Sequence, residues 1–181
     1  MQASRATYGL FSVADFLLVP AVLGLYLSLK RVGKNLMLVA TGLMVVFIVV
    51  DLTLTDAGTL TIVTLTQHAA TAASAAERAA YMAAAHYGLA TVPLANTYSW
   101  VIPSVAVLLI SMVMLKGVFG KRTAYVGIAA GIAGIAAGFY VFVPALAGLG
   151  LLFSLLLGAW CLMAGRRLYG LGKPQSAGET A

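Results

Sequence analysis

The stretch AYVGIAAGIAGIAAG, residues 124–138, decides the fold. Gly127, Gly131, Gly134 and Gly138 stand four, three and four positions apart, so on a helix they form one smooth stripe. Apart from Tyr125 and Val126 near the start, only Ala and Ile separate them, and nothing in the stretch is charged. In water each interior glycine costs a helix about 1 kcal/mol relative to alanine. In lipid the same glycines let a neighbouring helix approach closely, which is how membrane helices gain packing energy. The segment therefore reads as the packing hub of a small membrane bundle.

Composition agrees. The chain is 62% hydrophobic and 9% charged, with a mean hydropathy of +1.01. Soluble domains carry roughly 25% charged residues, so this chain cannot clothe a globule in water. The formal charge of +6 falls in three clusters: Lys30, Arg31 and Lys34; Lys116, Lys121 and Arg122; Arg166, Arg167 and Lys173. Each borders an apolar run, as a topology signal does, so no nucleic-acid partner is expected. Cys161 is the only cysteine, and no disulfide framework exists. The start is expected to be a mature span and not a signal peptide, because Asp15 interrupts its apolar region and no small-residue cleavage site follows.

The expected fold is an all-α, polytopic bundle of about five transmembrane helices, since about 20 apolar residues cross a bilayer core. The spans are Tyr8 to Leu29, Leu36 to Leu54, Tyr98 to Leu115, Ala124 to Val143 and Leu146 to Gly165. Pro20 and Pro103 are expected to kink the first and third. Residues 55–97 are too polar to span but rich in Ala and Thr, so they form an extracytoplasmic helical insert. Ser74 and Glu77 have the spacing of a capping box opening one of its helices. That helix is expected to end before Pro93, since the residue preceding a proline is pushed out of helical geometry. The tail 166–181 is cytoplasmic. With five spans all three basic clusters fall on one side, leaving only Arg5 and Arg78 opposite. A Lys/Arg excess marks the cytoplasmic face, placing the N-terminus outside and the C-terminus inside the cytoplasmic membrane of a prokaryote.

The stretches TLTQHAATAASAAERAAYMAAAHYGLA and MLKGVFGKRTAYVGIAAGIAGI carry a resemblance. With the basic turn Lys30 to Asn35, the turn Gly117 to Arg122, and Trp160 through Gly165 to Arg167, the chain resembles a widespread prokaryotic membrane-protein family classed only as a domain of unknown function. The resemblance implies a shared helical membrane fold and carries no activity, cofactor or catalytic residue with it.

Few residues carry chemistry. Asp15 lies about 10 Å below the start of the first span, and Asp51 near the outer end of the second, so both acids fall in the outer half of the membrane. Ionisable groups at such depth face a partner or a wet cavity, which makes a shared ligand or ion pocket one reading. The other is structural: Ser12 and Asp15 are spaced as a capping box, and Asp51 can reach the interface. His68 and His86 both fall in the insert. With an outer-leaflet aspartate they would supply three ligands to a metal such as zinc, but they lack the spacing of a metal motif. No Gly-x-Ser-x-Gly or phosphate loop surrounds Ser12, Ser99, Ser104 or Ser154. The aromatics, Trp100 and Trp160 among them, read as interface anchors.

Three functions follow, and the first, which the sequence favours, is expected to need no cofactor. The first is a non-enzymatic binding or interaction module whose partners are membrane lipid, a transmembrane helix or a second copy of the chain. The second is an outer-leaflet, metal-dependent lipid hydrolase. The third is a small proton- or cation-coupled transporter, which the lack of a detectable inverted repeat disfavours.

Overall fold

The computed structural model describes residues 2–117 and 119–172, with side chains from residue 16 to 171 apart from 118. The described residues are all-helical: α1 (Gln2–Val50), a π-helical turn (Asp51–Asp56), α2 (Ala57–Thr71), α3 (Ala75–Met114), α4 (Lys121–Gly138) and α5 (Leu149–Gly172). Two short 3₁₀ turns, Phe139–Val141 and Pro144–Gly148, join α4 to α5. Four helical runs are long and apolar enough to cross a membrane: Phe16–Thr71, Ala75–Met114, Lys121–Val141 and Pro144–Leu171.

Gly33 divides α1. It alone leaves helical geometry, at φ −156° and ψ 66°. Val22 shares one buried cluster with Met44, Phe47 and Ile48. A straight helix would separate Val22 from Phe47 by about 37 Å, so the two arms of α1 fold back on each other at Gly33. The expected basic loop from Lys30 to Asn35 is thus a one-residue break between helices.

One of the prolines departs from expectation. Pro20 sits inside α1, and Pro93 and Pro103 sit inside an unbroken α3, which corrects the expected helix end before Pro93. Each proline removes one backbone bond, and a 40-residue helix packed on its neighbours keeps the rest. The hydroxyls of Thr97 and Ser104 also donate to the carbonyls of Pro93 and Trp100, beside the interruptions. The insert is likewise not a separate layer. The second arm of α1 passes through the π turn into α2, and α3 carries the return strand of this hairpin without a break. Ser74 caps α3 by accepting the Glu77 N–H at 3.1 Å, while the Glu77 carboxylate accepts the Ala73 N–H at 3.0 Å.

α4 is the hub around which α3 and α5 close. Gly127, Gly131, Gly134 and Gly138 are all buried. A Cβ at Gly131 would lie 2.8 Å from the Leu108 Cβ and 2.9 Å from the Ser104 carbonyl oxygen, so only a bare backbone fits against α3. Ser111 and the Trp160 indole close on Gly127, and Ser104 and Phe153 close on Gly134. The core then runs through Leu29, Met37, Ile110, Met114, Ala130 and Trp160.

The basic clusters share one end of the bundle. A Cβ at Gly117 would strike Leu29 and approach Val32, which brings the α3–α4 connection against the Gly33 fold. Gly120, Thr123, Arg166 and Arg167 surround a single shallow depression.

Candidate functional site

The hydroxyls beyond Val50 isolate one residue. Thr53, Thr59, Thr61 and Thr64 each donate to the carbonyl four residues earlier in their own helix, and Thr66 and Thr71 turn back on theirs in the same way. This is how a threonine satisfies itself in an apolar helix. Thr55 instead reaches across and shares a 2.8 Å hydrogen bond with Ser99 of α3. It does so from the π-helical turn, where the wider winding shifts the side chains of Asp51 and Thr55 relative to a regular helix. Such turns occur frequently at functional sites.

Beneath this bond lies a cavity of about 360 Å³ between α1, α3 and α5. Asp51, Thr55, Asn96 and Ser99 form its polar end. Along α3 the wall continues through Trp100 and Val107 to Ile110, about 16 Å below Ser99 at the rise of a helix. Leu25, Met44, Phe47, Phe153 and Trp160 complete an otherwise apolar wall. Both tryptophans of the chain therefore line this space. The Trp100 ring tilts at 44° against Phe153, with centroids 5.5 Å apart, and its edge abuts Gly150. Trp160 is nearly covered, and its indole N–H and the Ser111 hydroxyl are buried without a hydrogen-bond partner among the described residues.

One side of the cavity opens out of the bundle. Ala21 of α1 and Cys161 and Gly165 of α5 line the cavity and are exposed residues. We read these three small residues as the edge of a window between α1 and α5. Below it the two helices come together, with Leu168 3.9 Å from where a Cβ on Gly24 would stand. Around the window the surface is apolar, with Leu17, Leu155 and Leu162 all exposed.

Asp51 is half-buried and is the only charged residue lining the cavity among the described residues. Asp15 and Asp51 stand equally far along the chain from Gly33, and the backbone is helical from Gln2 through Asp15, so Ser12 does not cap a helix starting at Phe16. The Asp15 side chain lies outside the described residues. Asp56, not singled out in the sequence, is buried and partnered in the same π turn.

The histidines lie elsewhere. His68 is exposed and stacks on Tyr81, with ring centroids 5.4 Å apart, while His86 is exposed one to two turns further along α3. Tyr81, not His86, is thus the neighbour of His68. Among the described residues no three His, Cys, Asp or Glu side chains converge to hold a metal. Comparison with family models, curated proteins and solved structures finds no match for this chain.

Proposed function

We propose that this chain is an integral membrane binding module that takes an amphiphilic molecule sideways from the outer leaflet into the cavity between α1, α3 and α5. The observation that carries this reading is the exposure of the small lining residues Ala21, Cys161 and Gly165 beside the exposed Leu17, Leu155 and Leu162, which supports a window from an apolar cavity to an apolar surface. Ligand sites are concave, mostly apolar and polar at a few placed points, and about 300–1,000 Å³ in volume. The cavity meets that description, with its polar points gathered at one end.

The membrane frame follows from the charges. Four helical runs are apolar and long enough to cross, and on this reading the fold at Gly33 turns the first into two crossings, for a total of five. The shared end of the three basic clusters is the cytoplasmic end by the Lys/Arg rule. The N-terminus is then outside, the C-terminus is in the cytoplasm, and Asp51 faces the outer leaflet. At 40 residues α3 is about 60 Å long, twice the bilayer core, so its first half projects outside with α2 as a helical hairpin.

The two tryptophans supply the test. In a Trp100→Phe protein Trp160 is the sole fluorophore, nearly covered by protein and facing the cavity. In nanodiscs of neutral phospholipid, a brominated alkyl maltoside should quench it saturably, and Gly165→Leu, which plugs the window, should abolish the saturable part. Quenching that rises linearly with bromide and ignores the plug would refute the reading.

A further inference from the structure

We propose that the ligand carries a cationic head, an ammonium or other positively charged group on a single apolar body, and that Asp51 receives it. The inference rests on the binding reading above and names the chemical class that the cavity selects.

The argument begins with charge. Among the described residues no Lys, Arg or His lines the cavity, and Asp51 makes no hydrogen bond or ion pair. The described basic residues are far from it. Lys34 is 17 positions back along the second arm of α1, about 26 Å, and Arg78 lies on the far half of α3, beyond Asn96. A carboxylate at the edge of a bilayer core is costly unless a partner of opposite charge meets it. No described residue supplies one at this point, and we assign that role to the ligand.

The neighbouring groups fit the same head. Thr55 and Ser99 spend one proton on each other across the gap, which leaves both oxygens with lone pairs to offer at the polar end. The Asn96 amide adds a further carbonyl acceptor there. Trp100, one helical turn after Asn96, brings an indole to the same stretch of wall, and an indole face attracts a cation. An anionic head would meet Asp51 as a like charge. A neutral head would leave it unpaired. Below the head the cavity is apolar for about 16 Å, room for one chain or an equivalent hydrocarbon body.

Three amphiphiles sharing a twelve-carbon chain decide the matter: dodecyltrimethylammonium, dodecyl maltoside and dodecyl sulfate. Each competes with the brominated maltoside for tryptophan quenching in nanodiscs, with concentrations expressed per lipid. The ammonium compound should displace the probe at about one-tenth the concentration of the maltoside, the size of effect a charge-assisted contact supplies, and the sulfate should be weakest. Asp51→Asn should bring the three within about twofold of each other, with an unchanged unfolding midpoint in detergent showing that the variant is folded. Asp51→Glu keeps the charge and should keep the order. No preference in the parent protein, or a preference that survives Asp51→Asn, overturns the cationic assignment and leaves the binding reading standing. If none of the three displaces the probe, both fail.

Discussion

Replacing Gly131 by alanine probes the joint on which the bundle turns. The added Cβ would sit 2.8 Å from the Leu108 Cβ, 2.9 Å from the Ser104 carbonyl oxygen and 3.2 Å from the Leu108 Cα. Carbon atoms pack best at about 3.5–4.0 Å, so the overlap is about half an ångström or more, and two of the three atoms belong to backbone. No rotamer change relieves it; α4 must move away from α3. Overpacking of this kind costs about 1–3 kcal/mol, and the rigid partners place Gly131→Ala in the upper part of that range. The better helix propensity of alanine returns about 1 kcal/mol, for a net loss of about 1–2 kcal/mol. Gly158 of α5 is the control, because a Cβ there meets nothing within 4 Å. Gly158→Ala should be neutral or gain up to about 1 kcal/mol. Thermal unfolding in one detergent, read by the fraction of protein that stays monodisperse, should separate the two variants by about 5–10 °C. If Gly131→Ala melts with or above Gly158→Ala, α4 does not pack on α3 through its glycines, and the central joint is misplaced.

Further outcomes follow from individual hydrogen bonds. Thr55→Val leaves the Ser99 hydroxyl buried and unpaired, and should cost about 1–3 kcal/mol in detergent unfolding, with Thr55→Val/Ser99→Ala less damaged than the single variant. Ser111→Ala removes a buried hydroxyl that has no partner, so its unfolding midpoint should hold or rise, while Ser104→Ala, which loses a 2.6 Å bond to the Trp100 carbonyl, should not rise. Ser74→Ala removes the α3 cap at a cost of about 1 kcal/mol, seen as faster amide exchange at Glu77 and its neighbours.

How far the sequence carried depended on whether the signal was local. The α4 stripe was readable because a glycine every three or four residues has one geometric meaning on a helix, and Ser74 with Glu77 was readable because a cap lies within one turn. The Gly33 fold was placed only to within its basic cluster. A single glycine between two helix-forming runs does not say that the chain reverses at one residue. Pro93 misled because its local bias against helix is overridden by a long packed helix. The π turn had no signature in DLTLTD, and with it went Asp56 and the cross-helix role of Thr55. Of the cavity, only Asp51 stands out in the sequence as a pocket residue. Trp100 and Trp160 read there as interface anchors, since a wall assembled from separate helices leaves no pattern in any one of them. His68 and His86 were grouped because they are the only histidines, yet the register of α2 on α3 gives His68 to Tyr81.

Sidedness tests the account most directly, because the depth of Asp51 and the leaflet that feeds the window both depend on it. In a Cys161→Ser background, single cysteines at Ser74, Ala147 and Gly120 are treated with a membrane-impermeant maleimide on intact cells. The account predicts labelling at 74 and 147 from outside, and at 120 only after permeabilisation. Labelling at 120 from outside, or protection of 74 and 147, would place the cationic end on the wrong face and contradict it.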